Sequence, residues 1–401
     1  MNAICWTEKQ CLWFLVPLII SISFAMDIFV PAIPSMSYFF RVNESVMQAT
    51  LYVFMLTVCI ANLIIGPLAD RYGRRHTVIS AALLFFLGSL LALFSHTILL
   101  LIIARIIQAI GACGTYLLCF VIVRDNFSTL ACARLFSVLA GINALVASVA
   151  PVIGGFLIDF THNWHSNFYF LTLLGLVMTV IAWRNLPNYA YDYQKLSLIN
   201  TFIIMKVIAK NAYFRHYAPI AAIALLGLYL FCALSPGILI SQLHLSATRY
   251  GLWFGLNALT VFIMNIIALH LTRYCALEKI VLLGLSIIIS ACLMMIYLNY
   301  SQLTSLHFML PMLCMTIGIS LSMGSAMALS LNDFKQQAGN AATLVGVYQF
   351  GLAGIMGLLT AQFKSSPLVL ALSVLFFSFF AIARLLLYYH KVGWALTHHQ
   401  R

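Results

Sequence analysis

Acidic residues are scarce in this chain: nine Asp and Glu stand against 21 Lys and Arg in 401 residues. So few carboxylates, spread so widely, argue against the clustered acids and bases of an enzyme active site. No HExxH, GxSxG or P-loop pattern occurs, so the frames of metalloprotease, serine hydrolase and nucleotide chemistry are missing as well. The ten cysteines form no CxxC pair. Most of them (Cys59, Cys113, Cys119, Cys232, Cys292, Cys314) lie in apolar runs and read as small reduced core residues, not as a disulfide frame or a metal site. Histidines gather at the ends of those runs (His76, His96, His162, His165, His270, His307), with no pair at metal-binding spacing on one inward face. No long polar segment offers a soluble output domain, which argues against a sensor. No cofactor is implied.

What is abundant is apolar surface. The chain is 63% hydrophobic and 7% charged, more than a soluble core can hide, so it reads as an all-α polytopic membrane protein. Apolar runs fall near 11–36, 46–67, 77–95, 97–122, 132–158, 166–184, 217–239, 250–271, 279–299, 306–330, 339–361 and 367–388. Each is long enough to cross a bilayer as a helix, which predicts twelve spans. Lys9, the run to Ile22 and Ser23-Phe24-Ala25 resemble a cleavable leader, but further spans follow at once, so 11–36 reads as an uncleaved first helix. The longest polar stretch, 185–216, carries Lys195, Lys206, Lys210 and Arg215. It reads as a cytoplasmic linker with one interfacial helix, dividing six-helix halves at 1–184 and 217–401. Ala69-Asp70-Arg71-Tyr72 after the second span is echoed by Leu271-Thr272-Arg273-Tyr274 after the eighth, as expected of two pseudo-repeated halves. With both termini cytoplasmic, all Lys and Arg fall inside except Arg41, Arg249, Lys364 and the intramembrane Arg105. The net charge of +12 therefore reflects topology and not nucleic-acid binding.

Against this background Asp27 stands out, in Ser23-Phe-Ala-Met-Asp27-Ile-Phe-Val-Pro31-Ala-Ile-Pro34. A carboxylate at membrane depth costs about 2.5–3.5 kcal/mol or more. It is the only acid expected in the membrane core. Arg105, in the fourth run, lies at the same depth from the same side, roughly 12–14 Å in. A buried guanidinium keeps its charge and needs a polar partner. The sequence predicts an Asp27–Arg105 relation, either direct or through water or Gln108. Moving Arg105 by a few ångströms would switch the proton affinity of the acid, which is a device for coupling protons to a solute. The rival reading is a static ion pair that ties two helices together.

Between the second and third runs lies Gly66-Pro-Leu-Ala-Asp70-Arg71-Tyr-Gly73-Arg74-Arg75. The sequence predicts a loop here, with Gly66 and Gly73 permitting close backbone approach and a tight turn. Asp70 suits a helix N-terminus, and the arginines suit acidic partners. This GxxxDRxGRR pattern resembles the signature of the major facilitator superfamily. Arg105-Ile-Ile-Gln108-Ala-Ile-Gly111 is similar to the RxxQGxG pattern of its drug/proton antiporters, and Ala150-Pro151-Val-Ile-Gly154-Gly155 to their GPxxGG motif. The Asp27–Pro34 stretch looks like the first helix of Bcr/CflA multidrug exporters. Ala109 and Ala150 stand where the family has glycine, and Thr272 where the second-half loop has an acid.

The resemblance implies a bacterial inner-membrane protein of two six-helix halves. It would export small organic molecules, either drugs or an endogenous metabolite such as a siderophore, in exchange for protons. A proton symporter importing a metabolite is the alternative. Asp27, Arg105 and Gln108 would serve proton coupling. The family's cytoplasmic latch would map onto Gly66, Asp70, Arg71, Gly73, Arg74 and Asp125, with the loop arginine meeting the acid after span four and Asp70 meeting the start of span eleven. Ala150, Pro151, Gly154 and Gly155 would seal the cavity against proton leak, although composition alone fits a plain packing face equally well. Tyr52, Asn62, Tyr116, Asn143, Tyr229 and Asn257 are candidates to line the substrate cavity; each also suits an ordinary interhelical hydrogen bond. The partners expected are a small-molecule substrate and membrane lipid, with the chain acting as a monomer.

Overall fold

In hydrocarbon every backbone polar group must find its partner within the protein, so each apolar run winds into a helix. The structure, a computed structural model, describes residues 7–186, 198–334 and 338–398. It contains twelve helical spans, whose ends fall within five residues of the limits expected from the apolar runs. No strand occurs among the described residues.

The first span is not one helix. It runs as α1 (Glu8–Ile19), α2 (Ser21–Asp27), a 3-10 turn (Val30–Ala32) and α3 (Ile33–Phe40). Pro31 and Pro34 each lack an N–H, which ends regular winding at Asp27. The next spans are α4 (Glu44–Tyr72), α5 (Arg74–Leu93), α6 (Ile98–Asn126), α7 (Thr129–Thr161) and α8 (His165–Asn185). The expected loop between the second and third spans is a single residue. Helix α4 continues to Tyr72, and Gly73 turns the chain with φ 91° and ψ 148°. The Gly73 N–H still donates to Ala69 O at 3.1 Å, while Gly73 O accepts from Thr77 N at 3.2 Å. The close approach expected at Gly66 is also absent, because a Cβ placed there meets nothing within 4 Å. Gly66 lies within α4, and the turn is made seven residues further on.

Residues 187–197 of the expected linker, with Lys195, lie outside the described residues; α9 (Leu198–Lys210) follows them. The remaining elements are α10 (Ala212–Pro236), a π-helical turn (Gly237–Gln242), α11 (Ala247–Leu271), α12 (Leu277–Ser301), α13 (Ser305–Leu331), α14 (Ala338–Thr360) and α15 (Pro367–His398).

The helices form two compact units. One comprises Met1–Phe202 together with Cys232–Leu259 and Gly357–Ser365, so the ends of α10, α11 and α14 nearest the π turn pack among the first six spans. Small residues bring α5 and α6 together: a Cβ at Gly88 would lie 2.5 Å from Gln108 N, and one at Gly111 2.3 Å from Phe85 N. The other unit comprises Ile203–Phe231, Thr260–Met356 and Ser366–Arg401. There α12 and α13 meet at Gly284 and Gly318, where a Cβ on either would lie under 3 Å from the other's carbonyl oxygen. Tyr217 and Tyr389 join hydroxyls at 2.5 Å in the same unit.

Candidate functional site

The break in span one exposes carbonyl groups that a continuous helix would occupy, and polar side chains from neighbouring spans take them. Arg105 of α6 donates from Nη1 to Ala25 O at 2.7 Å, and Asn167 of α8 donates to Ile28 O at 3.0 Å. Arg105 is completely buried and Asp27 is 7% exposed. The same Nη1 donates to Gln108 Oε1 at 2.6 Å. Gln108 Nε2 passes the chain on to Ser89 Oγ at 2.7 Å, and Ser89 donates to Phe85 O at 2.7 Å.

Two aromatic faces also flank the guanidinium of Arg105. Its guanidinium carbon lies 4.3 Å from the ring centroid of Phe29 and 4.5 Å from that of Phe54. A desolvated contact of this kind is worth about 2 kcal/mol. Asp27 interacts electrostatically with Arg105, yet no ion pair joins them among the described residues. The direct form of the expected relation is therefore absent: Arg105 reaches the backbone carbonyl two residues before Asp27 and leaves Nε and Nη2 without protein hydrogen-bond partners.

Hydroxyl contacts with α6 and α7 hold the residues before Asp27 in place. Ser21 Oγ meets Thr115 Oγ1 at 2.9 Å, and Ser23 Oγ donates to Asn143 Oδ1 at 2.9 Å. Replacing Gln108 with Leu removes the side-chain acceptor of a buried guanidinium and strands Ser89. A loss of about 1.5–3 kcal/mol of stability is expected, read as a lower thermal midpoint of the purified protein in micelles.

The Ala150–Gly155 segment lies against the same break. A Cβ at Gly154 would sit 1.8 Å from Ile28 O, and one at Gly155 2.5 Å from Ala247 O of α11. A Cβ at Gly251 would in turn lie 2.9 Å from Val152 Cα and 3.1 Å from Pro151 O. Ala150 and Pro151 are buried. The motif is thus a two-sided contact surface, with one glycine for span one and the next for α11.

At the opposite end of α4, Arg74 of α5 bonds Asp70 of α4 across the Gly73 turn and Asp125 at the end of α6, the latter at 3.1 Å from Nε. Arg124 pairs with the other oxygen of Asp125 at 3.2 Å. Arg71 does not join this cluster; its guanidinium lies over the Tyr72 ring at 5.3 Å.

The six cavity candidates separate. Asn143 reaches Ser23, close in sequence to Asp27. Asn62 accepts from Cys113 Sγ at 3.4 Å, an interhelical tie. Tyr116 packs edge-on to Phe120 at 5.3 Å. Tyr52 is fully buried, its ring seated where a Cβ at Gly357 would lie 1.9 Å from Cδ1. Asn257 is buried in the first unit, and Tyr229 lies beside Phe350 at 5.9 Å in the second. Sequence reasoning missed Phe29, Phe54, Ser89 and Asn167. The two phenylalanines carry no signal in so apolar a chain; Ser89 and Asn167 were detectable only as polar residues inside or beside an apolar run.

Residues 15–361 match the family model described as Major Facilitator Superfamily. The chain belongs to this superfamily. It is a multi-pass membrane transporter of twelve spans, and its substrates are small molecules. The chain is 28% identical over 295 residues to the chloramphenicol resistance protein CraA of Acinetobacter baumannii, covering 74% of this chain and 70% of that protein. It is 24% identical over 350 residues to a bicyclomycin resistance protein homolog of Haemophilus influenzae, covering 85% and 86%. In fold it is similar to the xylose transporter XylE from E. coli, with a TM-score of 0.73 over 94% of this chain and 96% of that one at 12% identity.

Proposed function

We propose that this superfamily member exports small organic molecules across the bacterial inner membrane in exchange for protons, by alternating access, with both termini cytoplasmic. Asp27 carries the proton, and Arg105 with Gln108 sets its environment. One observation carries the reading: Asp27 neighbours Arg105 without being its counter-ion. Two phenylalanine faces, a carbonyl and an amide already hold the guanidinium. The carboxyl group can therefore gain and lose a proton without stranding a buried cation. A static pair would bind the two charges directly, because leaving either unpaired is costly.

Relatives named for chloramphenicol and bicyclomycin resistance support export of drug-sized organic molecules. The preponderance of Lys and Arg on one side supports the orientation. Everted vesicles from an overexpressing strain test the reading. Labelled chloramphenicol accumulates in them when the lumen is acid, and a protonophore collapses the accumulation. Uptake confined to right-side-out vesicles, or indifferent to the protonophore, would sink it.

A further inference from the structure

At the end of α4 remote from Gly73, three first-half side chains grip the ends of second-half helices, all within one compact unit. Glu44, in the first turn of α4, accepts from Ser241 Oγ in the π-helical turn. One turn further along α4, Gln48 donates to Ser365 Oγ at 2.8 Å, and the Ser365 carbonyl accepts from Gln242 Nε2 at 2.7 Å. Gly237, at the start of the π turn, leaves no room for a side chain: a Cβ would lie 2.5 Å from Glu44 Oε2 and 2.6 Å from Ser365 Oγ. The third point is Asp159 near the end of α7. Its Oδ2 accepts from the backbone N–H and hydroxyl of Thr248, at 2.9 and 2.5 Å, so it caps the start of α11. A carboxylate there satisfies an otherwise orphan helix donor and complements the helix dipole.

These points share one target. The gripped segments continue inward as Cys232, Ser235 and Tyr250. Tyr250 is fully buried and its hydroxyl meets Ser235 Oγ at 3.0 Å. Both Cys232 and Tyr250 interact electrostatically with Asp27. Helix α7 connects the tie to the acid in space, because Gly155 packs on Ala247 beside Thr248 while Gly154 packs on Ile28 beside Asp27, the carboxyl group named above as proton carrier. Two of the chain's nine acids are spent on the tie, in a sequence that otherwise avoids them.

We infer that Glu44, Gln48 and Asp159 form a three-point lock that holds the π-helical turn, the start of α11 and Ser365 over Asp27, so that the lock must release before Asp27 exchanges a proton with that side of the membrane. This rests on Asp27 being the proton carrier. The π turn is the natural handle, since such turns are metastable within helices and concentrate at functional sites.

Hydrogen exchange read by mass spectrometry on the purified full-length carrier tests the lock. In Glu44→Ala and in Asp159→Ala the amides of 237–243 exchange at least about fivefold faster, the factor expected from losing one or two polar contacts. Asp159 bonds Thr248 and not that segment, so its effect there reports joint release. Modification of Asp27 by a hydrophobic carbodiimide, quantified on its peptide, rises in parallel. Glu44→Gln, which retains an acceptor for Ser241, exchanges as wild type and controls for misfolding. Unchanged exchange at 237–243 in Asp159→Ala, or unchanged labelling of Asp27, overturns the lock. Failure of the proton-carrier reading has a separate signature: Asp27→Asn transports normally while the exchange results stand.

Discussion

Asp27→Asn abolishes proton-driven transport and leaves the carrier folded in the membrane. Asparagine matches aspartate in size and polarity but takes up no proton in the physiological range. The substitution therefore tests protonation apart from packing. The folded state should tolerate it, because Arg105 depends on Ala25 O, Gln108 and the rings of Phe29 and Phe54, none of which is altered. A thermal midpoint near that of wild type is expected, alongside loss of protonophore-sensitive accumulation in everted vesicles and loss of drug-induced alkalinisation of their lumen. Asp27→Glu keeps a titratable group and retains part of the activity. The static-pair reading makes the opposite forecast, a marked fall in stability with transport reduced only in proportion to folded protein. Wild-type exchange by Asp27→Asn would end the coupling assignment.

Gly154→Ala is the second large effect, and it acts through shape alone. The added methyl would sit 1.8 Å from Ile28 O, and the obstructing atom is backbone, so no side chain can rotate aside. Helix α7 must move off span one. Overpacking of this kind costs about 1–3 kcal/mol, and the upper end is expected against a carbonyl. The displaced residue adjoins Asp27, so transport falls more than stability does. Gly141→Ala on the same helix is the control, because a Cβ at Gly141 meets nothing within 4 Å. Alanine there is neutral or stabilises by up to about 1 kcal/mol as a better helix former. Thermal unfolding in micelles and vesicle transport, measured on both variants, separate contact from composition. Equal behaviour of the two would refute the contact argument.

The architecture was legible in the sequence because a bilayer imposes a length on every apolar run, and twelve such runs are hard to mistake. Asp27 and Arg105 were legible for a related reason: charge is costly in hydrocarbon, so each intramembrane charge is conspicuous. Their relation was only half legible. The polar partner Gln108 is there, but two aromatic faces share the guanidinium with it, and nothing distinguishes Phe29 and Phe54 among 29 phenylalanines until the chain is folded. The turn at Gly73 was misjudged in extent. Arginines and an aspartate look like a loop, yet the break is one residue long, and Arg74 at the start of α5 bonds back to Asp70 in the last turn of α4 across it. The glycines of the Ala150–Gly155 segment were legible as small residues, but which neighbour each one faces is a tertiary fact. Glu44, Gln48 and Asp159 were not singled out at all, since polar residues at span ends are ordinary until their partners are known.

The one-residue turn at Gly73 has a mechanical consequence. With Arg74 fastened to both Asp70 and Asp125, and α5 and α6 in backbone contact at Gly88 and Gly111, the second, third and fourth spans form one stiff lever. Arg105 is carried on that bundle and reaches across to span one at Ala25. Span one departs from regular winding at the 3-10 turn between Asp27 and Ile33. Any change in the separation of acid and guanidinium is therefore a change in how span one sits against the second, third and fourth spans.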